Sequence, residues 1–226
     1  MAARIIEEPA FRERVLIFRD REHAGKLLAE KLRIYTSQPT ALVLAIPAGG
    51  VPVGYAVAKE LCIPIDIIIV RKIQIPWNTE AGFGAIAWDG EIVLNEPLMK
   101  HLRLTKEMIQ SSIAKTNIVI QERMRKFRED RPFPELNGKV VILIDDGLAS
   151  GFTMLAAVRA VRKGNPEKIV IAVPTSSTSA LKLLSPEADE IICLNVRSGA
   201  IFAVADAYQK WYDLKDEEVI EILRGK

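Results

Sequence analysis

Short apolar runs alternate with stretches of helical period along most of the chain, the pattern of parallel strands joined by crossover helices. ALVLAI (41–46), IPIDIIIVRKI (63–73), VVILID (140–145), KIVIAVP (168–174) and DEIICL (189–194) read as buried strands. A shorter strand is expected over 15–18. Asp20 then stands where an N-cap should, and Ala24, Leu27, Leu28 and Leu32 recur at helical spacing. Further helices are expected over 51–61, with Pro52 in the first turn, and over 152–163 and 176–184. The fold class that follows is α/β: a doubly wound, mainly parallel sheet of about five core strands with helices on both faces.

Two regions break the alternation. Residues 72–95 contain Gly82, Gly84 and an Asp89-Gly90 turn, which predicts a mobile loop leading into an antiparallel hairpin. Residues 105–128 have the period of one long amphipathic helix, capped by Thr105 and ending before Pro132.

Bulk properties narrow the function classes. The 226 residues suit one domain, 49% hydrophobic and 27% charged, and no apolar run reaches the length of about 18–20 residues that a membrane span needs. No secretory signal is expected in MAARIIEEPAFRERVLIF, so a cytoplasmic location is the default. A formal net charge of +2 gives no basis for a nucleic-acid partner. The basic run Arg123, Arg125, Lys126 and Arg128 alternates with Glu122 and Glu129 and reads as a solvated helix face. Cys62 and Cys193 lie far apart in apolar surroundings and read as reduced core residues. His23 and His101 have no second histidine at ligand spacing.

The candidate chemistry lies in VILIDDGLASGFT, residues 141–153. A buried strand runs into two adjacent carboxylates, Asp145 and Asp146, then into a loop with Gly147 and Gly151, then into a helix. That order aims backbone N–H groups and a helix start at an anion, and Ser150 and Thr153 add hydroxyl donors. Neither G-x-G-x-x-G nor G-x-x-x-x-G-K-[ST] is present here. A phosphate at one end and vicinal hydroxyls a few ångströms away would satisfy both halves, as in a ribose phosphate. The bland alternative is a turn at Asp146-Gly147 with Asp145 as a cap.

The stretch closely resembles the phosphoribosyl-pyrophosphate motif of type I phosphoribosyltransferases. The resemblance implies that Asp145 and Asp146 bind the ribose hydroxyls and that Gly147, Leu148, Ala149, Ser150, Gly151, Phe152 and Thr153 wrap the ribose phosphate. IPAGGVPVG (46–54) resembles the family's pyrophosphate loop, with Ala48, Gly49 and Gly50 in contact. Many relatives carry Arg or Lys where this chain has Ala48, and Arg71 and Lys72 are the replacement cations, Lys72 with a catalytic role. The lid is expected over about 73–95, with Glu80, Trp77 and Trp88 in it, and the acceptor-gripping hood over about 195–214, with Phe202 touching the acceptor and Tyr208, Trp211 and Tyr212 nearby. FRDREHAGKLLAEKL near the start belongs to the same resemblance. An acid usually stands three residues after the second aspartate in hypoxanthine and guanine transferases; Ala149 weakens a 6-oxopurine assignment.

By that resemblance the protein is a single-domain phosphoribosyltransferase, residues 1–226, and a homodimer. It would use Mg2+-bound phosphoribosyl pyrophosphate and a nitrogenous small-molecule acceptor, the ion held indirectly at Asp145 and Asp146 through substrate or water. A non-catalytic phosphoribosyl pyrophosphate or nucleotide sensor is the rival reading, and a phosphohydrolase or sugar-phosphate binder sharing only the phosphate loop is the third.

Overall fold

A computed structural model describes residues 2–129, 131–199 and 202–225, with the backbone alone at Glu80. Six parallel strands form the main sheet: β1 (Arg4–Glu7), β2 (Ala41–Ala45), β3 (Ile65–Ile67), β7 (Val140–Ile144), β8 (Lys168–Ser177) and β9 (Glu190–Arg197), in the order β1-β9-β8-β7-β2-β3. A second, antiparallel sheet joins β4 (Val70–Ile75), β5 (Asn78–Ala87) and β6 (Ile92–Leu94). The helices include α1 (Arg21–Lys31), α2 (Gly50–Leu61), α3 (Glu96–His101), α4 (Lys106–Arg128), α5 (Phe152–Arg162), α6 (Thr178–Leu184) and α7 (Asp216–Leu223).

The central strands are buried on both faces, which is why they read as unbroken apolar runs. Their side chains still alternate. Ala41 and Val43 of β2 pack with Leu28, Leu32 and Val57 of α1 and α2, whereas Leu42 and Leu44 pack with Leu155, Val158 and Val161 of α5. Helices therefore cover both faces, as the alternation predicts.

The run over 63–73 is not one strand. β3 pairs with β2 only through Ile67, because β2 turns away into the 46–50 loop at that level. The following residues lack a parallel neighbour and pair instead with β5 as β4. The expected loop of 73–88 is thus largely sheet, with an irregular register between Ile73 and Ile75, while the turn at Gly90 (φ +87°) falls where the sequence places it. Residues 15–18 form no strand. Val15 and Leu16 are exposed, Ile17 is half-buried, and Phe18 turns fully inward, in an isolated bridge to Tyr208. The sixth strand is Arg4–Glu7 at the sheet edge, a run too short to carry a periodic signal.

The basic run of α4 is not simply a solvated face. Arg128 is buried, with its guanidinium on both oxygens of Asp66 (2.9 and 3.0 Å) and on the carbonyls of Ile67 and Pro132, pinning the helix end to β3. Cys62 also departs from expectation: it caps α2 in a left-handed conformation and is exposed, whereas Cys193 is buried, its thiol pushed far up by burial. A thiol reagent is therefore expected to modify Cys62 rapidly in the native protein and Cys193 only after denaturation. Equal native rates at the two positions, read by peptide mapping, would contradict this packing.

Candidate active site

The β7 strand ends by delivering Asp145 and Asp146 to the C-terminal edge of the sheet, where β2 also ends. That edge is where open parallel sheets hold ligands. The following loop is fastened to β8: Leu148 N–H donates to Thr175 O (3.0 Å), Ser177 N–H to Leu148 O (2.9 Å) and Ser177 Oγ to Ala149 O (2.6 Å). Gly151 has φ +81°, the left-handed turn from which α5 starts at Phe152. A cavity of about 400 Å3 opens over this loop, bounded by Asp145, the segment 147–154, Lys72 and Gly82 from the hairpin, and Val204.

Asp146 is held from three sides. Arg21, in the first turn of α1, donates through Nε to Asp146 Oδ2 at 2.9 Å, and only 14% of the Asp146 side chain is exposed. The same guanidinium donates to Tyr212 O (2.9 Å) and lies 3.9 Å from the centre of the Trp211 ring. The Tyr208 hydroxyl donates to Asp146 O at 2.6 Å. On the remaining side stands Gly49, where a Cβ would lie 1.8 Å from Asp146 Oδ2. Gly50 is equally close to the strand, since a Cβ there would meet Ile144 O at 2.7 Å. The two glycines let the 46–50 loop lie directly against the carboxylate pair; its Pro47–Ala48 peptide is cis.

The pair is electrostatically uneven. Burial, and then the neighbouring Asp146 charge, holds the Asp145 carboxyl well above the usual carboxylate range. Burial raises Asp146 too, but the Arg21 charge and hydrogen bond oppose it. The two carboxyls titrate as a coupled pair, with the Arg21 cation favouring negative charge on Asp146. Burial, reinforced by the Asp146 charge, pushes the Tyr208 phenol well above its ordinary range, which keeps its hydroxyl a donor.

The structure gathers most of the residues singled out from sequence, and separates two. Asp145, Gly147 to Thr153 and Lys72 border one cavity, with Gly49 and Gly50 against the carboxylates. Arg71 does not border that cavity; it lines a different one, among α4 residues, which Lys72 also reaches. From the C-terminal segment Val204 reaches the cavity, while Phe202 packs against the Arg197 guanidinium (5.1 Å). Trp88 stacks on Phe133 and Trp77 is exposed. The Glu80 side chain, and Ala200 and Ile201 of the hood segment, lie outside the described residues. Sequence reasoning passed over Arg21. The available signal was an arginine directly after the N-cap Asp20, at the start of a helix whose buried face points to the sheet.

A six-stranded parallel sheet with a carboxylate pair and a glycine loop at the end of a central strand defines a class, and the sequence agrees: residues 19–208 match the phosphoribosyl transferase domain family, to which this chain belongs. TT1426 from Thermus thermophilus is 35% identical, with a TM-score of 0.73 over 92% of this chain and 98% of its own. The Mycobacterium tuberculosis protein Rv0571c, provisionally named a phosphoribosyl transferase, is 36% identical over 207 residues, 92% of this chain and 46% of its own length. This chain thus spans about half of that relative. A hypoxanthine phosphoribosyltransferase from Staphylococcus aureus shares the fold at 14% identity, with a TM-score of 0.50 over 92% of this chain and 95% of its own. No helix of the described residues is long and apolar enough to cross a membrane.

Proposed function

We propose that this protein transfers the phosphoribosyl group of Mg2+-bound phosphoribosyl pyrophosphate to a nitrogenous acceptor, releasing pyrophosphate. The observation that carries the reading is the Asp145–Asp146 pair, with Asp146 braced by Arg21 and Gly49 and Asp145 bordering the 400 Å3 cavity over loop 147–153. Loop 147–153 would take the 5-phosphate on N–H groups and the Ser150 and Thr153 hydroxyls, and the two carboxylates the ribose hydroxyls. The acceptor nitrogen would form its bond to the anomeric carbon as the bond to pyrophosphate breaks, with Lys72 and the N–H groups of Ala48 and Gly49 facing the charge that leaves, the Gly50 N–H being held by Ile46 O.

Magnesium would supply charge neutralisation to the pyrophosphate. No group of three or more His, Cys, Asp or Glu side chains able to hold an ion occurs among the described residues, which suits an ion carried mainly by substrate oxygens, with Asp145 and Asp146 touching it through substrate or water. A cytoplasmic homodimer belongs to the same proposal, and sedimentation checks the dimer.

The test is phosphorus NMR of phosphoribosyl pyrophosphate, Mg2+ and catalytic protein with a pool of purines, pyrimidines and other nitrogenous acceptors. Acceptor-dependent pyrophosphate together with a new phosphomonoester supports the transferase. Binding without turnover supports the second reading, a non-catalytic sensor, which Ala48 favours because it leaves the 46–50 loop without a side-chain cation. Gly49→Ala provides a geometric check on either reading. Its Cβ must displace the Asp146 carboxylate, so ligand affinity is expected to fall roughly 10- to 100-fold while the circular dichroism spectrum stays unchanged. Unaltered affinity in calorimetry would remove Asp146 from the ligand site.

A further inference from the structure

A second cavity, of about 170 Å3, lies between the β4–β5 hairpin and the middle of α4. Its lining carries donors: Arg71 and Lys115 bring charge, and Thr79 and Ser112 bring hydroxyls, while the Thr116 hydroxyl donates to Ser112 O (2.8 Å). None of the described residues that line it is a carboxylate. Among the described residues Arg71 makes no hydrogen bond and no ion pair, although it is half-buried. The nearby acid, Asp216, is engaged elsewhere, by Arg123 at 3.4 Å and Lys126 at 3.1 Å. Burial, and then the Arg123 charge, pulls the Arg71 pKa below its ordinary value, against a weaker opposing pull from Asp216.

A half-desolvated guanidinium is costly unless an anion meets it, and its planar fork matches phosphate oxygens. We propose that this cavity is a phosphate-binding site separate from the 147–153 loop, with Arg71 as the fork and Lys115 as the mobile second cation. The volume admits a phosphate group and falls below the roughly 300 Å3 at which pockets take up whole drug-sized ligands. The occupant is therefore inorganic phosphate or the phosphate end of an organic monoester whose remainder stays outside. Lys72 lines both cavities, so the two anions would lie on either side of one strand. The proposal does not depend on the reaction assigned to the larger cavity.

The experiment is an amide-resolved NMR titration of the full chain with inorganic phosphate and, separately, ribose 5-phosphate. Saturable shifts are expected at residues 74–79 and 112–119, distinguishable from those at 147–153. Inorganic phosphate acting alone on the first set identifies the free ion, and a tighter response to ribose 5-phosphate identifies a monoester. Arg71→Gln should weaken the first set roughly 10- to 100-fold and leave the second in place. Lys115→Glu, at an exposed position and so without consequence for folding, should abolish the first set; it keeps the test decisive should Arg71→Gln fold poorly. Shifts confined to 147–153, or a 112–119 response indifferent to Lys115→Glu, would overturn the site.

Discussion

Asp145→Asn combined with Asp146→Asn is expected to abolish phosphoribosyl transfer and to weaken phosphoribosyl pyrophosphate binding by roughly 100- to 10,000-fold. Hydrogen bonds to charged groups contribute about 1.5–3 kcal/mol each, and two are lost. The fold should survive at reduced stability, because both side chains lie beyond the last residue of β7 and Arg21, though it loses the Asp146 charge, keeps Tyr212 O and the Trp211 ring. Stability even moves the other way for the single change Asp145→Asn. The Asp145 carboxyl is held above its ordinary value of 3.8 by burial and by Asp146. Between that ordinary value and the raised one, the unfolded chain has released its proton while the folded protein retains it. Asp145 therefore subtracts stability progressively as pH rises through this window. Asn removes the penalty, so the variant should gain stability over wild type at pH 7, and much less near pH 4. Urea melts of the two proteins at both pH values check the sign. A difference that does not widen with pH would place Asp145 outside the strained pair, and a double variant that still turns over would remove the carboxylates from the chemistry.

Arg21→Met should be the more damaging change to the scaffold. It strips the partner from a carboxylate that is only 14% exposed, removes the donor to Tyr212 O and empties the space above Trp211. Breaking a buried pair in this way typically costs about 3–5 kcal/mol, mostly because the surviving charge is left uncompensated. The loss should then shrink in the presence of Asp146→Asn, since a neutral amide needs no cation. A four-protein cycle in urea measures the coupling. Additive effects would mean that Arg21 acts through Trp211 and Tyr212 alone. The pair also links the N-terminal helix α1, the phosphate strand and the C-terminal segment, so Arg21→Met is expected to raise hydrogen exchange at residues 208–212 as well as at 146.

Much of the fold could be read from local patterns. β2 and β7 are five-residue apolar runs because both faces of the sheet are covered, and burial of that kind leaves an unambiguous mark. The helix over Lys106–Arg128 begins at Thr105, whose hydroxyl oxygen accepts from Met108 N–H, as the cap signal implied. Where the reading failed, the deciding partner was remote. The strand over 63–73 divides because β2 stops pairing at Ala45, a fact about another segment. Cys62 sits among apolar neighbours in sequence yet is exposed because α2 ends there in a left-handed turn.

The same division runs through the site. The order strand, Asp145-Asp146, glycine loop, helix is a local chemical statement, since backbone N–H groups, two carboxylates and permissive glycines work over a dozen residues, and the sequence alone determined it. Arg21 stands 125 residues from Asp146 along the chain, and its place after the Asp20 cap marks a helix start without indicating which carboxylate it meets. Arg71 and Lys72 are adjacent in sequence and similar in charge, but only Lys72 borders the cavity over loop 147–153, while both reach the cavity against α4. These surroundings are set by how the sheets and helices pack, so only the tertiary structure could decide which cation borders loop 147–153 and which is confined to the α4 side.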